Sequence, residues 1–164
     1  PYVNEHDSRM VPVTFEAYAL RNPRRQRVHY TLGHVTQMKP RDDSGFQSMS
    51  EVAGAADTDH GLTMAALDLT PTASTSLGLV NHYAWDVMKI FYTEAALALS
   101  PAPGLGVKVS AQYTDQRSVG EALIGAFATH QYGLKAALSW RAIGATVGYT
   151  SVGIDSGIQS PYGG

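Results

Sequence analysis

The chain has 164 residues, long enough for a domain with a real core, carries a formal charge of −2 and contains no cysteine. Near-neutrality argues against a nucleic-acid partner drawn by a net positive field, and the lack of cysteine removes a disulfide framework, a thiolate metal site and a thiol nucleophile. No run of about eighteen apolar residues occurs, which excludes a transmembrane helix but not a β-barrel, whose strands need only one apolar face.

In chain order, period-two alternation bounded by turn residues recurs, while helical periodicity is weak throughout. Thr14 to Arg21 reads as a first, untidy strand. Val28, Tyr30 and Leu32 then alternate with Arg27, His29 and Thr31, and a less tidy strand covers Leu62 to Thr70. Leu77, Leu79, Tyr83 and Trp85 face away from Ser76, Gly78, His82 and Asp86, with Asn81 interrupting the apolar side, and a strand from Phe91 to Leu99 follows. The clearest case runs from Val107 to Thr114: Val107, Val109, Ala111 and Tyr113 lie on one side, Lys108, Ser110, Gln112 and Thr114 on the other. Tyr132 to Trp140 and Ile143 to Thr150 alternate in the same way across a tight turn at Arg141-Ala142. The expectation is an all-β, antiparallel up-and-down meander of about eight strands.

The connections alternate too. Short links, mostly rich in proline (Asn22-Pro23-Arg24, Thr70-Pro71-Thr72, Ser100 to Gly104, and the Arg141 turn), are separated by longer polar loops near 38–61, 86–89 and 115–126. Short turns on one rim and long loops on the other is the layout of outer-membrane barrels, with the short side periplasmic. Tyr83, Trp85, Tyr113, Tyr132, Trp140 and Tyr149 are expected near strand ends as interfacial girdles. The same aromatics could instead cap the core of a soluble β-sandwich that binds a ligand or partner, with its apolar faces meeting each other.

Three segments resemble one family. Asp7-Ser8-Arg9-Met10-Val11-Pro12 followed by Thr14-Phe15 is similar to the D-S-R-(L/M)-x-P-x-T-F run of the OprD-like outer-membrane porins. Gly153-Ile154 and Ser160-Pro161-Tyr162-Gly163-Gly164 resemble that family's glycine-rich external loop, and Asn81 to Met88 occupies the place of an aromatic, acidic strand-to-loop segment. The resemblance implies a transmembrane barrel of about eighteen strands, of which 1–164 would be a single internal region. Residues 1–13 would end a pore loop, 14–151 would form strands, and 152–164 would begin an external loop. The lack of an apolar leader and of a terminal aromatic strand agrees with that expectation. It further implies an integral outer-membrane location, lipid-bilayer contact, and passive diffusion of small anionic or zwitterionic, carboxylate-bearing solutes such as amino acids or aromatic acids. Oligomeric state stays open, a homotrimer being one form the resemblance allows.

If the polar strand faces line a lumen, Arg27, His29, Lys108 and Lys135 project into it, with Arg25 and Arg141 near the periplasmic rim. Such a basic wall would raise the local concentration of carboxylates in a narrow, low-dielectric passage. The competing reading is that these are ordinary solvated charges on a polar face. Asp7, Ser8 and Arg9 are the expected pore constriction, Asp7 receiving an ammonium and Arg9 a carboxylate, or else Arg9 only pins the loop to a wall carboxylate.

No enzyme is expected. His6-Asp7-Ser8 holds the residue types of a hydrolase, but adjacent loop residues cannot adopt triad geometry. The histidines lack metal-ligand spacing, Asp57-Thr58-Asp59-His60-Gly61 lacks the later ligands of a calcium loop, and Gly104-Leu105-Gly106 follows a turn into a strand rather than cradling a phosphate. Neither cofactor nor metal is therefore expected. A self-contained small β-barrel, acting as a structural membrane protein or binding module with a filled interior, is the alternative.

Overall fold

Alternating side chains and β-branched residues through most of the chain fold into one antiparallel sheet. The computed structural model describes residues 13–23, 27–40, 43–154 and 156–162. They form β1 (Thr14–Arg21), β2 (Val28–Lys39), a short β3 (Gln47–Ser48), α1 (Met49–Val52), β4 (Leu62–Thr72), β5 (Thr75–Ala84), β6 (Met88–Ala102), β7 (Leu105–Ser118), β8 (Ala128–Trp140) and β9 (Ile143–Val152). The sheet is nine-stranded, ordered β1-β2-β4-β5-β6-β7-β8-β9, with β3 attached to β2. It is the expected meander. Among the described residues β1 pairs only with β2 and β9 only with β8, so the strands form an open arc rather than a small closed barrel.

Register sorts the chemistry into rows. Val28, Leu69, Leu77, Ala95, Ala111, Leu134 and Tyr149 are successive cross-strand partners, and every one is apolar or aromatic. One residue along each strand, His29, Asp68, Gly78, Glu94, Gln112, Gly133 and Thr150 form the next row, polar or glycine throughout. Because the side-chain period is two, these rows belong to opposite faces. No second layer covers the apolar face among the described residues: Val109, Leu134, Leu138, Trp140, Ile143 and Val147 are all exposed. A soluble sandwich would bury them against a partner sheet.

The hydrophobic core lies at the other end of the polar face. Val35, Leu62, Ala84 and Met88 turn the same way as Asp68 and Glu94 but are covered by Met49 and Val52 of the 40–61 connection and by Leu123, Ile124 and Phe127 of the 119–127 connection. Val87 and Met88 are fully buried there, and burial of each such side chain stabilises by about 1.5–3 kcal/mol. Ser48 caps α1 reciprocally with Glu51 and its hydroxyl donates to the Thr58 carbonyl at 2.7 Å. The hydroxyl of Ser50 accepts from the His60 N–H at 2.9 Å. These bonds fold the 43–61 connection onto the sheet. At its start the Gly45 N–H and Gln47 side chain bond Asp43, whose carboxyl is held below its ordinary range chiefly by the Gly45 bond.

Three expectations need correction. Pro71 and Pro101 stand inside β4 and β6, where register shifts at Leu69/Thr72 and Leu99/Ala102 accommodate residues that lack an N–H; the turns proper are 73–74 and 103–104. The expected longer loop near Asp86 is a tight turn, with the Val87 N–H bonded to the Ala84 carbonyl at 3.1 Å and Asp86 in the left-handed region at φ 57°. It is short because Val87 and Met88 are drawn straight into the core. Finally, Tyr113 and Tyr132 oppose each other well inside β7 and β8, since both strands continue beyond the aromatic row through Ser118 and from Ala128.

Candidate solute-facing wall

The polar face offers its charges between small residues. Lys108 on β7 is flanked across the sheet by Ala98 and Ala137, and Lys135 on β8 by Ser110 and Gly148. Small neighbours leave both ammonium groups exposed, diagonal to one another. Together with Glu94, Ser76 and Gln112 they line a trough of about 430 Å³, and an adjoining hollow of about 510 Å³ joins Lys108 to Arg27. Arg27 sits at the short-turn rim, where its Nη1 donates to the Pro71 carbonyl at 3.4 Å. The three cations thus follow one another along a single wall.

Carboxylates share that wall. On that face Glu94 lies one row from Lys135 and two from Lys108, and its Oε2 accepts from the Tyr92 hydroxyl at 2.7 Å. Glycine shapes how the long side chains lie. A Cβ at Gly78 would meet Glu94 Cγ at 3.0 Å, and one at Gly133 would meet Gln112 Cγ at 3.1 Å, so each long side chain rests over its cross-strand glycine.

Further up the same face, the segment after β9 turns back onto the sheet. Buried Gln116 donates to the Gln159 carbonyl at 2.9 Å and accepts from the Gln159 N–H at 2.7 Å, while Thr129 donates to Ser156 at 2.6 Å. Tyr162 packs against the core there, and burial pushes its hydroxyl up to about 12. The 156–162 stretch therefore covers the wall at the long-loop end.

A polar wall with an uncovered apolar back, short turns at one end and inward-folded connections at the other is the layout of a membrane barrel. The family model for the outer membrane porin, OprD family, matches residues 1–164. The chain belongs to the OprD family of outer-membrane porins. Its place is the outer membrane, with the apolar rows toward lipid. The Pseudomonas aeruginosa porin OpdK solved with vanillate is similar at a TM-score of 0.76 and 19% identity, over 96% of this chain and 42% of that one. OccD3 (OpdP) of the same organism gives 0.74 and 17%, over 92% and 37%, and OpdL gives 0.71 and 18%, over 100% and 46%. The chain thus spans less than half the length of these porins, and the likeness shows their fold. No curated relative matches it in sequence.

Against that OprD-family wall the sequence-predicted residues divide. Arg27, Lys108 and Lys135 come together. His29 shares their face but is only 8% exposed, its Nδ1 without a hydrogen-bond partner among the described residues, so it adds little to the accessible surface of that face. Arg141 departs from the expected lining. It occupies the tight turn at φ 54° with its guanidinium 5.3 Å from the Trp140 ring centroid, and Trp140 belongs to the apolar face. Cation–π attraction draws that charge to the rim and the interface. Asp7, Ser8, Arg9 and Arg25 lie outside the described residues. Glu94 and Asp68 were missed, although alternation within their strands, Glu94 opposite in parity to Leu97 and Leu99, already set them on the polar side. Among the described residues, no group of three or more histidine or acidic side chains is placed to hold a metal, and no helix is long and apolar enough to cross a membrane.

Proposed function

We propose that the chain forms an internal part of the wall of a passive diffusion channel for small carboxylate-bearing solutes, with strands from 14 to 151 and the start of an external loop from 152. The observation behind this reading is the succession Arg27, Lys108, Lys135 along one hydrated face. Only alanine, serine and threonine lie between Arg27 and Lys108, and Ser110 and Ala137 between Lys108 and Lys135, so a carboxylate could pass from one cation to another without meeting a bulky side chain. The vanillate of the OpdK structure is a solute of this class, a small aromatic carboxylate. Asp7, Ser8 and Arg9 are the proposed constriction, on the strength of their motif.

The test is ion selectivity of the complete barrel carrying this chain, in planar bilayers under a gradient of sodium benzoate. Lys108→Gln with Lys135→Gln should lower the benzoate-to-sodium permeability ratio severalfold, as expected when a focusing field is removed. An unchanged reversal potential would show these lysines to be solvated bystanders.

A further inference from the structure

Beyond the aromatic row, the lipid-side face of β6, β7 and β8 becomes charged. Thr93, Tyr113 and Tyr132 are cross-strand partners; two residues further along come Phe91, Asp115 and His130, and two beyond these Lys89 and Arg117 stand opposite each other. All have the parity of Leu97, Val109 and Leu134, so they point outward. At roughly 3.4 Å per residue, Asp115 and Arg117 lie about 7 and 14 Å along the strand past the tyrosine ring, the depth at which acyl chains give way to headgroups. This is the end of the long connections and therefore the outer leaflet, whose glycolipid carries phosphates.

We propose that Lys89 and Arg117, with His130 beside them, bind a phosphate of that outer-leaflet lipid. Arg117 is held in position by a two-pronged bond to Asp115, Nε to Oδ1 at 2.8 Å and Nη2 to Oδ2 at 2.7 Å. That pairing uses one edge of the guanidinium and leaves the Nη1 edge for a second bidentate partner, the geometry arginine uses with phosphate. The Arg117 side chain is 58% exposed, so the edge is accessible. Asp115 cancels the arginine's net charge, while Lys89 has no ion pair among the described residues and supplies the excess positive charge. Clustered basic groups at a membrane surface are the recognised means of holding anionic headgroups. The inference rests on the lipid-facing assignment of the apolar rows and is independent of which solute passes.

The experiment uses the complete barrel in detergent, with lipid A bearing its phosphates and the same lipid dephosphorylated, followed by native mass spectrometry. Phosphorylated lipid A should bind the unaltered protein, and K89Q/R117Q should weaken it roughly tenfold or more. Asp115→Asn, which frees the arginine and removes a charge that repels phosphate, should tighten it. Lys89→Gln alone leaves the Arg117–Asp115 pair intact and still weakens binding if the double variant does not fold. Equal affinity for the dephosphorylated lipid, or for K89Q/R117Q in folded form, would overturn the proposal. Channel conductance of the same variants should be unaltered, which separates this failure from failure of the porin reading.

Discussion

At the scale of single residues, the wall is less uniformly basic than charge counting along the strands suggests, because Glu94 stands within the same trough as Lys108 and Lys135. Glu94→Gln should therefore raise the benzoate-to-sodium permeability ratio, opposite in sign to the lysine substitutions. Reversal potentials in bilayers measure it. Gly120 gives a structural counterpart. It adopts φ 58°, and a Cβ there would collide with Asp86, whose Oδ1 accepts from the Glu121 N–H. Gly120→Ala should cost about 1–2 kcal/mol from the left-handed backbone alone, seen as faster proteolysis of the 119–127 connection with the barrel otherwise intact.

At the scale of elements, stability is concentrated where connections fold onto the sheet. Ser48→Ala removes both the cap of α1 and the bond to Thr58, and should destabilise by about 1–2 kcal/mol; Met88→Ala opens a cavity under both connections and should cost about 2–5 kcal/mol. Urea unfolding of the reconstituted barrel measures each. These contacts also mark the limit of what the sequence discloses. Val107–Thr114 and Tyr132–Trp140 announce their faces because in each strand every apolar or aromatic residue larger than alanine falls on one side and every charged or polar one, apart from the Tyr132 and Tyr113 hydroxyls and the Trp140 ring nitrogen, on the other. Met49, Val52, Leu123 and Phe127 carry no such period, and whether a polar connection projects into water or folds back over the wall depends on contacts distant in sequence. For the same reason Gln116 gave no hint that it would clasp Gln159. Strand ends blurred where Pro71 and Pro101 read as turn residues although a register shift admits them. That Lys108 and Lys135 share the polar face was legible because their strand parity was; the attraction of Arg141 to Trp140 depends on a turn geometry that parity does not contain.

For the whole molecule, the decisive property is that its two faces demand different solvents. Val109→Arg places a charge midway between Tyr113 and Leu105 on the lipid side, where it should cost about 2–4 kcal/mol; Gln112→Arg, on the opposite face of the same strand, should change stability little. Heat-modifiability on gels after refolding into vesicles compares them. The open arc makes a second prediction: a cysteine pair at Ala19 and Ala145 should form no disulfide within one chain, because β1 and β9 lie at opposite edges. The glycines beneath Glu94 and Gln112 have a wider consequence. By letting those side chains lie flat against the sheet, Gly78 and Gly133 would, in the proposed channel, help set the bore by what they omit. One methyl group at either position would prop a polar arm upright into the water column. Throughput could then be throttled without altering a single charge, so the width of the passage and its ionic preference can be adjusted separately.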